Sequence, residues 1–161
     1  MGYILDLRKI EGVGHRPLLM VVCGVFVFDD RNRVLLVQRA DDRTWCVPGG
    51  SMELGETPEE TAKRECFEET GLCVHDLKLY NVISGEDSHF IYPNGDEVYA
   101  VDINYVCRSF SGTLTRQEDE VLQIRFFERE TLPKDLSRND KAVLDTLWNF
   151  CLMLPRAEIA I

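Results

Sequence analysis

The chain carries six cysteines, Cys23, Cys46, Cys66, Cys73, Cys107 and Cys151, yet no two of them form a Cys-x-x-Cys pair. Several lie inside apolar runs. They read as reduced core thiols of a cytosolic protein rather than as a disulfide framework. No His and Cys residues cluster at the spacing of a zinc site. No run reaches the ~18 apolar residues of a membrane span, so a membrane partner is not expected. The opening stretch MGYILDLRKIEG lacks the long apolar core of a signal peptide, which makes a cytoplasmic location the expectation. Positive charge is also short, with 18 Lys and Arg against 28 Asp and Glu and a net charge of −10. An acidic surface repels nucleic-acid backbones and disfavours duplex binding. It does not disfavour small anions, because a bound divalent cation inverts the local field. There is no internal repeat, low-complexity tract or linker. What remains is 161 residues of ordinary apolar and charged content, enough for one domain with a sizeable core.

The apolar, β-branched run LLMVVCGVFVF (18–28) predicts a buried strand, and VLLVQRA (34–40) a second one after the turn DDRNR (29–33). WCVPGGSMELGETP (45–58) reads as a loop with demanding backbone geometry. A helix should follow. Thr57 can be its N-cap, Pro58 suits the first helical position, Glu60 completes a capping box and Gly71 supplies the stop. Residues 77–85 read as a strand. Residues 89–110 read as two strands joined at Asn94-Gly95, a strong hairpin signal. In the second of these, Tyr99, Val101, Ile103, Tyr105 and Cys107 share one face, and Asp102 and Asn104 lie on the other with Ala100 and Val106. Residues 121–128 make a further strand. Residues 139–153 place Val143, Leu144, Leu147, Trp148 and Cys151 at helical spacing. Strands and two helices without regular βαβ alternation suggest an α+β or α/β sandwich with a mixed sheet.

The segment RECFEETG (64–71) sets three glutamates, Glu65, Glu68 and Glu69, on one face of that first helix. Like charges at this spacing cost roughly 0.2–0.5 kcal/mol per pair. Ala62, Cys66 and Phe67 on the neighbouring arc can bury against the sheet, which would leave the carboxylates at the rim of the core. A hard divalent cation such as Mg²⁺ or Mn²⁺ resolves the conflict, since it takes oxygen ligands. Arg64 lies four residues before Glu68 and can orient it. Taken alone, the run reads equally as a solvated acidic face.

The wider pattern is more specific. From Gly50 the chain reads G-SMELG-E-TPEETAK-RE-C-F-EE-T-G-L. This resembles the Nudix box, G-x5-E-x7-R-E-U-x-E-E-x-G-U with U apolar. Its seven fixed positions would coincide by chance at roughly 10⁻⁸ to 10⁻⁹ per start point. The box covers 50–72, and the flanking pattern extends the resemblance over 18–153. That frames residues 1–161 as a single domain, with 1–17 an N-terminal extension and 154–161 a C-terminal tail. One departure is Cys66 at the first U position, where the family prefers an aliphatic residue.

The resemblance implies an α/β/α sandwich and metal-dependent hydrolysis of a nucleoside diphosphate linked to another group. It makes Glu65, Glu68 and Glu69 metal-binding carboxylates, with the Gly50 carbonyl a further ligand and Mg²⁺, or Mn²⁺ in its place, the cofactor. Glu56, Arg64 and Gly71 become residues that hold the box together. Relatives often add a glutamate from outside the box. Here RQEDEVLQIRFF is the matching place, with Glu120 the first candidate and Glu118 the second. The general base is then Glu120 or one of the box glutamates. Relatives are frequently dimers, so a homodimer is also raised.

Residues outside the box should select the substrate. Arg39 could contact a phosphate or form a surface salt bridge. His89, Tyr92 and Tyr99 flank the hairpin turn and could cover a base, or pack at the sheet's rim. Asp102 and Asn104 could read a hydrogen-bonding edge, or lie on a wet sheet face. His15 has no evident partner. Two other readings stand beside the hydrolase: a catalytically silent nucleotide-binding module, which typically loses box carboxylates that are all present here, and a Nudix-related isomerase.

Overall fold

The structure is a computed structural model that describes residues 2–92 and 94–151, with side chains up to residue 148. In chain order it contains α1 (Tyr3–Arg8), β1 (Leu18–Val27), β2 (Val34–Arg39), β3 (Trp45–Cys46), β4 (Gly49–Ser51), α2 (Pro58–Thr70), β5 (Leu72–His75), β6 (Lys78–Ile83), β7 (His89–Ile91), β8 (Glu97–Cys107), β9 (Ser109–Gly112), β10 (Val121–Phe127) and α3 (Arg138–Cys151). Strands β4, β1, β8 and β6 lie side by side in that order. β1 runs parallel to β8 along its whole length, from Leu18 opposite Val98 to Val27 opposite Cys107, while the other pairs are antiparallel. β8 is long enough to take two partners on its far edge, β7 along its first residues and β6 along the rest. A second sheet orders β10, β2 and β3, and β5 pairs with β9.

Period-2 alternation along β1 decides what covers each face. Phe26 and the following Phe28 pack with Val143, Leu144, Leu147 and Trp148 of α3. Val25 and Val27 pack with Cys66 of α2 and with Leu72 and Val74. One helix therefore covers each side, which is the expected α/β/α layering around a mixed sheet. Phe28 and Trp148 meet edge to face at 5.5 Å. Full burial of each such side chain contributes about 1.5–3 kcal/mol.

Several expectations need correction. The loop 45–58 contains the short strands β3 and β4, because Trp45 is drawn into the core and pairs with Gln38. β5 and β9 support each other across a short ribbon, and the second strand of the hairpin ends at Cys107 instead of running to residue 110. Phe67 is 54% exposed, so only Ala62 and Cys66 of the proposed arc are buried. Part of the N-terminal extension is helical. Residues 152 and 153 of the expected last helix, the side chain of Cys151 and the tail 154–161 lie outside the described residues. The other five cysteines are free thiols. Among the described residues no helix is long and apolar enough to cross a membrane.

Candidate functional site

Local sequence fixes the position of α2. The Thr57 hydroxyl accepts from Glu60 N–H at 3.3 Å while Thr57 N–H donates to Glu60 Oε2 at 2.8 Å. This capping box satisfies two helix-end donors. At the other end Gly71 is left-handed, φ 74°, and its N–H donates to the Phe67 carbonyl at 2.8 Å. A Cβ there would also stand 2.7 Å from the Thr113 carbonyl, so Gly71 ends the helix and admits the chain that passes beside it.

Arg64 joins helix to loop. Its Nε and Nη2 donate to Glu56 Oε1 and Oε2 at 2.6 and 2.9 Å. Its Nη1 donates to Glu65 at 2.7 Å and to Glu68 at 3.1 Å. Glu56 also accepts from Thr61 Oγ1 and from Glu53 N–H. The Arg64 guanidinium above all, with these other donors, holds the Glu56 carboxyl down at about 2. The expectation that Arg64 orients Glu68 holds, but Glu56 is its principal partner. Cys66 is fully buried behind this network, where its small thiol packs as an aliphatic residue would.

Glu65 and Glu69 have the opposite surroundings. Burial pushes Glu69 up to about 8, with Glu65 and Glu120 adding repulsion against its single hydrogen bond from Gly49 N–H at 3.0 Å. Burial likewise raises Glu65. The Glu65 carboxylate lies where a side chain at residue 50 would begin, since a Cβ on Gly50 would come within 2.5 Å of it. Only glycine lets β4 pass this close.

The carboxylates open onto a cleft of about 730 Å³ lined by seven acidic side chains and two arginines, and by no His or Cys. Glu65, Glu68, Glu69, Arg64, Gly50, Glu120 and Arg39 all reach it, whereas Glu56 and Glu118 do not. Glu120 is brought in because its carbonyl accepts from Ala40 N–H at 2.9 Å, which ties the turn to the end of β2. Oxygen-only donors and the close approach of the Glu65 carboxylate to the Gly50 backbone fit a hard divalent cation. Among the described residues, no three acidic, imidazole or thiol groups converge on one point as they stand. Arg64 engages Glu65 and Glu68, and Glu69 turns to Gly49. Arg39 is paired with Asp41 through Nε at 2.9 Å.

A second lobe of about 240 Å³ adjoins the cleft and shares Met20, Val22, Arg39, Gly49 and Tyr92 with it. Asp102 and Asn104 line this lobe, as do Asn139 and Asp140 at the start of α3. Asp102 accepts from Ser88 at 3.0 Å and from Asn139 at 3.2 Å. Burial pushes Asp140 up to about 6, where it accepts from Val47 N–H and Ser137 Oγ. His89 and Tyr99 are not brought to either lobe. They stack on one another at 4.4 Å, and His89 bonds Glu97 at 2.8 Å. Register explains this: Tyr99 lies opposite Leu19, on the other side of the sheet from Met20 and Ala100. The hairpin residue that does reach the cleft is Tyr92. Gly2, Glu53, Asn139 and Asp140 were missed. Ser137-x-x-Asp140 before an apolar run is a capping pattern that could have flagged the last two.

Known proteins share this arrangement. A family model described as NUDIX domain matches residues 18–147. An ADP-ribose pyrophosphatase of Methanocaldococcus jannaschii is 31% identical over 143 residues, covering 87% of this chain and 78% of that protein. A MutT-like protein of Streptomyces ambofaciens is 53% identical over 80 residues, covering 49% of this chain and 51% of that protein, so the match spans about half of its length. A solved MutT NUDIX hydrolase from Burkholderia pseudomallei superposes with a TM-score of 0.68 at 26% identity, covering 80% of this chain and 97% of that one. The matched span takes in the capped helix, its glutamates and the strands that carry the cleft, and the chain belongs to the NUDIX domain family of hydrolases.

Proposed function

We propose that the protein is a divalent-metal-dependent pyrophosphohydrolase acting on a nucleoside diphosphate linked to another group. The observation that carries this reading is the cleft lined by seven carboxylates and two guanidiniums. An anionic pyrophosphate cannot enter such a field unless cations first reverse it.

In this reading Glu65, Glu68, Glu69 and the Gly50 carbonyl hold Mg²⁺, or Mn²⁺ in its place. The ion, when bound, neutralises the pyrophosphate and makes a coordinated water acidic. Binding requires Glu65 and Glu68 to exchange Arg64 for the cation, and Glu69 to give up its proton. Arg64 and Glu56 keep the loop and helix together meanwhile, and Gly71 keeps the helix end in place. Glu120, which lines the same cleft, takes the proton from the attacking water. Arg39, released from Asp41, meets a phosphate. The second lobe takes the remainder of the substrate, with Asp102 and Asn104 presented to its polar edge. The net charge of −10 disfavours a duplex partner, and a cytoplasmic location stays part of this proposal. The homodimer stays a proposal, tested by sedimentation.

The deciding experiment offers ADP-ribose, dGTP and a 5′-triphosphorylated oligonucleotide to metal-stripped protein, with and without Mg²⁺ or Mn²⁺, and identifies products by mass. Turnover that appears with metal and disappears with chelator is expected. Full turnover without metal would sink the mechanism. Tight nucleotide binding with no product would leave a silent binding module.

A further inference from the structure

No residue of α1 is buried, and Leu5 and the following Ile10 are 57% and 54% exposed. A surface helix is ordinarily held by burying an apolar face. Residues 2–16 are held by polar anchors at two points. At the first, Tyr3 N–H lies 3.1 Å from both carboxylate oxygens of Glu53. At the second, the Arg8 side chain is only 8% exposed. Its Nη1 donates to the carbonyls of Gly14 and Arg16 at 2.9 and 2.7 Å, and its Nη2 to that of Glu97 at 2.7 Å. Its Nε stands 3.5 Å from Asp96 Oδ1, which His15 Nδ1 meets at 2.7 Å. Only a planar fork of donors serves so many carbonyls at once.

The first anchor, Glu53, lines the cleft, and the second holds Asp96, whose backbone pairs with that of another lining residue, Tyr92. Glu53 sits in the loop before α2, and its N–H donates to Glu56 at 3.0 Å. Asp96 closes the hairpin turn, its carbonyl accepting from Tyr92 N–H at 2.8 Å. Tyr92 lines both lobes, and Gly2 itself lines the larger one. A segment with no fully buried residue therefore ties the loop of the glutamate helix to the hairpin that carries Tyr92. Weakly buried elements of this kind sit at the low end of local stability, from which binding walls are commonly drawn.

We propose that residues 2–16 form a strap that completes the substrate's binding wall and fixes Tyr92 in it, with Arg8 as the positioning residue. The identity of the ligand, a nucleoside diphosphate derivative, rests on the hydrolase reading; the latch does not.

The test compares wild type with Arg8→Ala and Arg8→Lys. For ADP-ribose and dGTP with Mg²⁺, Arg8→Ala should raise KM about tenfold with kcat within about twofold, the mark of lost uniform binding. Arg8→Lys should fall between, because an ammonium cannot reach all the carbonyls. It also stands in if the alanine variant fails to fold. Hydrogen exchange at the Tyr3, Tyr92 and Gly95 amides should quicken while amides within α2 stay unchanged. A folded variant with KM unmoved, or with kcat lost at constant KM, overturns the strap. So does exchange at Tyr92 and Gly95 that is no faster than in wild type. If wild type turns over neither substrate, the hydrolase reading falls, and the exchange result alone decides the latch.

Discussion

Glu56, just before α2, and Glu69, in its last turn, carry the same side chain, yet one is held down at about 2 and the other pushed up to about 8. Glu56 is met by both arms of Arg64, a threonine hydroxyl and a backbone N–H. Glu69 has one backbone N–H, and its nearest charged neighbours include two further carboxylates. The chain compensates the first charge from its own residues and leaves the second uncompensated. Matched partners mark a carboxylate that builds the loop. Their absence, in a buried and acidic cleft, keeps Glu69 protonated to about pH 8, and that contrast is what the proposed function builds on.

The sharpest way to break this comparison is substitution at each end. Glu69→Gln and Glu68→Gln should each lower turnover by about 10²–10⁴-fold, the scale of a lost charge-bearing catalytic group. The metal-free Glu69→Gln protein should melt no lower than wild type near neutral pH, because glutamine replaces a carboxyl that keeps its proton there. Wild-type rates in either would remove that residue from the site. Glu120→Gln should cost about 10²-fold in turnover with Mg²⁺ affinity largely kept. Glu118→Gln, outside the cleft, should behave as wild type. Equal behaviour of the pair would reduce Glu120 to a solvated turn. Glu56→Gln should act chiefly on stability, losing about 2 kcal/mol from a charged hydrogen-bond pair. In a chain of this size that lowers the melting temperature by roughly 4–8 °C. An unchanged melting temperature would show that the network carries no stability.

The same contrast predicts a pH dependence of the chelated protein. Glu69 keeps its proton in the fold up to about pH 8 but would release it near 4.5 when unfolded. The folded state then binds more protons across that window, so stability falls as pH rises from about 4.5 to about 8. Glu56 runs the other way: its contribution is complete above 4.5 and is lost as pH falls toward about 2. Melting curves across both windows check this. Glu69→Gln should flatten the upper slope, and a slope that persists would assign it to another group.

The helix with its caps was legible from sequence because each signal acts within a few residues: Thr57 with Glu60, Pro58, Gly71. The hairpin at Asn94-Gly95 was legible for the same reason. β5 escaped notice because four residues, LCVH, become a strand only when β9 lies beside them. α1 escaped because six residues span less than two turns, too few for a helical period to stand out, and none of them is fully buried. The exchange of Tyr99 and His89 for Tyr92 is more instructive. Alternation separated the two faces of β8 correctly, with Asp102 and Asn104 opposite Tyr99. Which face would meet the glutamates depends on the neighbouring strands and on α2, and that information is spread over residues far apart in the chain.

One feature of α2 reaches past its side chains. Glu68 and Glu69 stand in the last turn of a helix of 13 residues, and no basic residue accompanies them there. The carbonyls at that end sum to roughly half a negative elementary charge. The backbone therefore sides with the repulsion among the carboxylates, and with any cation that relieves it. The open carbonyls of that last turn would therefore act with Glu68 and Glu69 on any cation that the proposed site takes. Because that influence is confined to the last turn, loosening Thr57 or Glu60 should cost helix stability and leave the electrostatics of the Glu68–Glu69 end as they are.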